Sequence, residues 1–139
     1  MAKTLLYRLF GLGKIPEQFR STLNSEGLVL LDEGIKASLT YRDFRAPGKR
    51  FGWRRQWFTG CIALTKVRLV ALQYSSQAIN VPFDDERIRR LQISIEGDET
   101  LLISFDPNLF HPDWSGTMEY RFQSSQAKEF LERFSERLG

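Results

Sequence analysis

Residues 45–55 read Arg-Ala-Pro-Gly-Lys-Arg-Phe-Gly-Trp-Arg-Arg. Five cations (Arg45, Lys49, Arg50, Arg54 and Arg55) are interleaved with two rings, Phe51 and Trp53, and Pro47-Gly48 marks a turn among them. Two kinds of chemistry use this mixture. At a membrane–water interface the rings sit at headgroup level while the cations face acidic lipid. In single-stranded nucleic-acid recognition the cations meet phosphates and the rings stack on bases. A third reading needs no ligand: a long twisted hairpin whose rings cover the sheet and whose arginines are merely solvated. The placement of Phe51 and Trp53 discriminates. Rings turned to solvent favour binding, and rings lying on the sheet favour the third reading.

Catalytic arrangements are weaker. The single cysteine, Cys61, would need a histidine to act as a nucleophile. The one histidine, His111, has no link to it in sequence. Cys61 stands in an apolar stretch, so a small buried side chain is the expectation. Asp106, His111 and Asp113 place three candidate ligands on one loop. Asp-Pro and His-Pro are ordinary turn chemistry, however, and capping of the loop's own backbone explains them without a metal. Gly11-Leu12-Gly13-Lys14 lacks the strand that precedes a phosphate-binding loop. No catalytic residue, metal or cofactor is assigned, and the chain is expected not to be an enzyme.

The chain has 139 residues, 42% of them hydrophobic and 13% aromatic, enough to bury one core. The net charge is +3 and the pI about 9.2, too mildly basic to argue for nucleic acid without a local cluster. A lone cysteine excludes an intramolecular disulfide and fits a reducing cytosol. No apolar run approaches the about 20 residues of a membrane span. Arg8 interrupts the apolar N-terminal stretch and no small-residue cleavage site follows, which argues against a signal peptide.

The elements that must carry the basic segment follow from periodicity. Residues 3–12 place Leu5, Leu6, Leu9 and Phe10 on one helical face, to dock on protein or lie on a membrane surface. Pro16 opens a second short helix with Ile15, Phe19 and Leu23 on one face, ending near Asn24–Gly27. From Leu28 the period is two. Leu28–Leu31 reads as a short strand, Asp32-Glu33-Gly34 as a turn, and Ile35, Ala37, Leu39 and Tyr41 as the buried face of the next strand. Gly60–Leu72 reads as strand, tight turn at Thr65–Val67, and strand. Gly60 marks a bulge or bend, Thr65 serves the turn backbone, and Arg68 pairs with a nearby carboxylate. Ala78–Phe83 is a strand with an edge or end at Pro82. Residues 88–105 form a hairpin around Glu96–Glu99, and Met118, Tyr120 and Phe122 end the strand series. Ser124 or Ser125 caps a final helix whose apolar face, Ala127, Phe130, Leu131, Phe134 and Leu138, must cover the sheet.

This order of elements resembles the pleckstrin-homology-like (PH-like) superfold, and most closely its GRAM branch and bacterial PH-like domains. The residues that carry the resemblance are Gly27-Leu28-Val29-Leu30, Gly60-Cys61-Ile62-Ala63-Leu64-Thr65 followed by Arg68-Leu69-Val70, and Ile79-Asn80-Val81-Pro82-Phe83 ahead of Ile88. The resemblance implies a β-rich α+β fold: a curled two-sheet barrel of about seven antiparallel strands, closed by the C-terminal helix and preceded by a short N-terminal helix. It divides the chain into an amphipathic helical segment, 1–25, and a PH-like domain, 26–139. It also implies a non-catalytic module that binds membrane lipid or protein segments. The family's lipid signature is a Lys/Arg run in the first hairpin loop. The first hairpin here, read at Asp32-Glu33-Gly34, is acidic, so no binding residue is carried over from that signature.

The candidate site for lipid or a partner is therefore Arg45, Lys49, Arg50, Phe51, Trp53, Arg54 and Arg55. The leading expectation is peripheral association with anionic membrane lipid, in the cytoplasm and at the inner membrane face. The alternative is a protein-interaction or self-assembly module that uses a sheet edge, the groove beside the last helix or the N-terminal segment. Nucleic acid is disfavoured because carboxylates are spread over the rest of the chain.

Overall fold

The computed structural model describes residues 15–138. The amphipathic reading of residues 3–12 falls outside them. The elements are α1 (Glu17–Ser25), β1 (Leu28–Ala46), β2 (Lys49–Thr65), β3 (Arg68–Gln73), β4 (Ser76–Pro82), β5 (Gln92–Glu96), β6 (Thr100–Phe105), β7 (Ser115–Gln123) and α2 (Ala127–Leu138). Short 3-10 turns at Glu86–Arg90 and Pro107–Leu109 complete them. The β-rich class, the seven antiparallel strands and the C-terminal helix are as expected. Among the described residues no helix is long and apolar enough to cross a membrane.

Three expectations are corrected. The strands form one continuous sheet, ordered β4-β3-β2-β1-β7-β6-β5, and not two. The cause is β1: its 19 residues pair with β2 along their length and with β7 over the second half. The sheet is also not closed, because β4 and β5 stand at opposite ends of that order. Asp32-Glu33-Gly34 is not a turn. Gly34 adopts φ 71° and shifts the β1–β2 register between Glu33 and Ile35, a bulge within one strand. The first hairpin is thus β1–β2, and its loop is the basic segment.

The bulge has a use. The Arg20 guanidinium of α1 donates to Glu33 Oε1 at 2.6 Å, and the Ile15 backbone N–H donates to Glu33 Oε2 at 3.1 Å. At the neighbouring position the Ser124 hydroxyl donates to the buried Asp32 carboxylate at 2.6 Å. Ser124 Oγ also accepts from the Gln126 N–H at 3.0 Å, the expected helix cap. Both acidic residues therefore hold helices against β1.

Two cores follow. On the inner face Ile35, Ala37, Leu39, Ile62, Leu64, Ile103 and Phe122 pack with Phe130 and Phe134 of α2. On the outer face Ile15 and Leu23 cover Cys61, Ala63, Val70 and Leu72. Cys61 is buried, as expected. The bend expected at Gly60 lies across from it, at the β1 bulge. Gly60 itself permits close approach: a Cβ there would stand 2.8 Å from Leu72 O and from the Phe58 ring. The outer core covers only the Thr65 end of β2; towards the basic loop the outer face carries polar side chains.

The Thr65 turn is bonded as its sequence suggests. Thr65 Oγ1 accepts from the Val67 and Arg68 N–H groups, each at 3.0 Å. Arg68 pairs with Glu26, Nη2 to Oε2 at 2.7 Å and Nε to Oε1 at 3.0 Å. Gly27, with φ 83°, ends α1 and accepts from the Lys66 N–H.

Candidate binding surface on the first hairpin

The hairpin turns at Pro47–Gly48, where Gly48 takes φ 75°, a left-handed conformation that favours glycine. Register places Ala46 opposite Lys49 and Arg45 opposite Arg50. Two like charges thus face each other across the strands, an arrangement that destabilises a sheet. Arg45, Lys49, Arg50 and Arg54 are exposed. Among the described residues no carboxylate lies within 4.0 Å of these four or of Arg55.

Phe51 and Trp53 part company. Phe51 is half-buried, stacked on Phe44 at 5.8 Å and tilted against Tyr41 at 5.3 Å. Phe44 is buried and meets Trp114 edge-on at 5.4 Å. These rings stiffen the hairpin from the inner side, and Arg54 lies over Phe51 at 4.8 Å. Trp53 is 56% exposed and stacks with Arg55 on the outer side. Two residues apart on one strand should share a face. The alternation breaks between Arg42 and Phe44, where Asp43 takes φ 49° and β1 slips its register on β7. Gly116 makes room for that kink, since a Cβ there would stand 2.5 Å from Asp43 O. The surface reading thus holds for Trp53, and the covering reading holds for Phe51.

Further along the outer face the site continues from Arg55 to Trp57 and Lys36, two residues that sequence reasoning left out. Arg55 stands between Trp53 and Trp57, 5.5 and 5.8 Å from their rings, and Lys36 lies over Trp57 at 4.8 Å. Trp57 is 55% exposed. The signal was available: Trp53, Arg55 and Trp57 sit at positions i, i+2 and i+4. Ending the basic segment at Arg55 hides it. Beneath this ladder lies a recess of about 280 Å³ lined by Lys36, Ser38, Arg55, Trp57, Glu96, Thr100 and Arg121, among others. Register puts Ser38 between Trp57 and Arg121, and Thr40 between Arg55 and Glu119.

The charges in the recess are unequal in freedom. Arg121 is fully engaged, donating to Glu96 at 2.8 and 3.2 Å and to Glu119 at 3.1 Å. The Arg121 hydrogen bond, aided by the positive fields of Arg121, Arg55 and Arg42, holds the Glu96 carboxyl below its usual range. Arg55 donates its Nε to Thr40 Oγ1 at 3.0 Å. Ser38 is wholly buried, and among the described residues its hydroxyl has no hydrogen-bond partner.

A second concavity, about 440 Å³, opens on the inner side among Leu39, Tyr41, Phe105, Trp114, Met118 and Tyr120. Burial pushes the Tyr120 hydroxyl well above its ordinary range and raises Tyr41 as well. His111 stacks on Trp114 at 3.7 Å, and Asp106 accepts from the Asn108 N–H at 2.8 Å, capping its own turn. Asp106 and His111 thus serve the loop. Comparison with known proteins returns no matching family model and no similar curated sequence.

Proposed function

We propose that the chain is a non-catalytic, PH-like binding module that docks peripherally on anionic membrane lipid through the β1–β2 hairpin. The observation that carries this reading is the tip. Arg45 and Arg50 oppose each other with no carboxylate near them among the described residues, beside a Trp53 that is 56% exposed. A like-charge pair costs stability in the free protein, and an anionic surface converts that cost into attraction. The inner aromatic packing of Tyr41, Phe44 and Phe51 supports the reading because it presents the cations on a stiff hairpin. The PH-like assignment is supported by the seven antiparallel strands followed by a C-terminal helix. The basic run also lies in the first hairpin loop, where the resemblance implies lipid contacts.

Sedimentation with vesicles tests it. The full chain is expected to pellet with phosphatidylserine-containing vesicles and not with pure phosphatidylcholine, and added salt should release it. Each cation near an anionic surface contributes about 1 kcal/mol. The triple variant Arg45→Glu/Lys49→Glu/Arg50→Glu should therefore lose affinity by at least about a hundredfold. Binding that ignores lipid charge would overturn the reading.

A further inference from the structure

We propose that the recess over Ser38 is a binding site for one phosphate monoester group, held by the Ser38 hydroxyl, the Lys36 ammonium and the terminal nitrogens of Arg55. The first support is the hydroxyl itself. Buried polar atoms in folded proteins almost always have a partner. Among the described residues Ser38 Oγ has none, and Ser38 lines the recess. Placing a bare hydroxyl there gains nothing for the free protein, because an alanine would pack as well. A ligand oxygen above it supplies the missing partner.

The second support is which cations remain available. Arg121 spends its guanidinium on Glu96 and Glu119. Arg55 uses only Nε on Thr40, leaving its outer nitrogens, and Lys36 rests on the Trp57 ring. Among the described residues neither Lys36 nor Arg55 has a carboxylate within 4.0 Å. Two free positive charges match a phosphate monoester, which carries roughly −1.5 to −2 at neutral pH, better than a carboxylate. Trp53 and Trp57 pin the Arg55 guanidinium from both sides, so little side-chain freedom is lost on binding. Glu96 also lines the recess, with its carboxylate held by Arg121.

This site shares Arg55 with the hairpin's basic run but lies away from the Arg45, Lys49 and Arg50 tip. Ala46 lies eight residues along β1 from Ser38, roughly 25 Å at the rise of a strand. The phosphate could belong to a soluble ester or to a lipid headgroup, and two arms of one experiment separate the sources. In the first arm, isotope-labelled protein is titrated with glycerol 3-phosphate and with inorganic phosphate at constant ionic strength, with acetate as control. Shifts at the Ser38 amide and the Arg55 side chain are expected with phosphate and not with acetate. Ser38→Ala and Lys36→Gln should each weaken binding by about tenfold or more, the effect of one lost charge-assisted donor. Ser38→Ala should melt no lower than wild type, because the hydroxyl bonds nothing in the free protein. In the second arm, vesicles containing phosphatidic acid are compared with phosphatidylserine vesicles of equal surface charge. A preference for phosphatidic acid that Ser38→Ala abolishes identifies the lipid as the source. The tip triple variant must keep its response to soluble phosphate, so failure of the vesicle reading leaves this arm intact. The proposal is overturned if neither arm shows phosphate binding, if acetate shifts the same residues equally, or if Ser38→Ala binds as wild type does.

Discussion

β2 runs between two turns that both carry cations, and the two treat them in opposite ways. At the Thr65 end, Arg68 is clamped by Glu26 with bonds of 2.7 and 3.0 Å and also reaches Asn80 at 3.2 Å. At the Pro47–Gly48 end, Arg45, Lys49 and Arg50 have no carboxylate within 4.0 Å among the described residues, and two of them face each other. The first arrangement joins α1, β2, β3 and β4 into one unit. The second holds nothing together. An arginine with a bidentate carboxylate and low exposure belongs to the architecture, whereas exposed cations without a carboxylate add little to it.

The largest effect should come from breaking the bonded turn. Arg68→Ala leaves the Glu26 carboxylate, itself mostly covered, without its partner, and Glu26→Ala strands the guanidinium. Hydrogen bonds to charged groups contribute about 1.5–3 kcal/mol, so each variant should lose about 2 kcal/mol in denaturant unfolding. The double variant should lose far less than the two single losses combined, because the pair acts as a unit. Lys49→Ala, by contrast, should change stability by less than about 0.5 kcal/mol. Equal losses at the two turns would erase the distinction between them.

Much of this contrast was legible in the sequence. Thr65, Arg68 and the helix stop at Asn24–Gly27 were readable because turn and cap chemistry is local. So were the basic-aromatic cluster and the Ser124 cap. What stayed hidden depends on register. Asp32-Glu33-Gly34 has turn composition, yet the chain continues as one bulged strand, and the Glu33 and Asp32 carboxylates find Arg20 and Ser124, 13 and 92 residues away. Phe51 and Trp53 share a strand period, yet their partners on β1, Phe44 and Arg42, flank the left-handed Asp43, which is fitted against Gly116. Ser38 is an ordinary polar position in an alternating strand until β2 and β7 set Trp57 and Arg121 on either side of it. The continuous sheet likewise follows from the length of β1, which the misread turn had cut in two.

A smaller effect should appear when the tip is made to resemble the other turn. Arg50→Glu places a carboxylate directly opposite Arg45 and replaces repulsion by attraction. Cross-strand pairs of this kind contribute about 0.2–1 kcal/mol, so the variant should be more stable than wild type by up to about 1 kcal/mol while losing vesicle affinity. Stability and binding moving in opposite directions is what a surface kept for an external anion requires. A variant that loses both would place Arg50 with Arg68, among the structural residues.

The smallest effect is in the salt dependence of that same pair. Added salt screens exposed charges whichever their sign, with a Debye length of about 10 Å at 0.1 M and about 3 Å at 1 M. In wild type the screened interaction at the tip is Arg45 against Arg50, so salt relieves a repulsion there. In Arg50→Glu it weakens an attraction. The stability difference between the two proteins should therefore shrink by a few tenths of a kcal/mol between low and high salt, measured by urea unfolding, where the denaturant adds no ions. Taking the difference cancels salt effects common to both chains, including those on hydrophobic burial. A stability difference that stays constant across that range would mean that Arg45 and Arg50 splay apart into solvent, and the cost assigned to the tip would lose its basis.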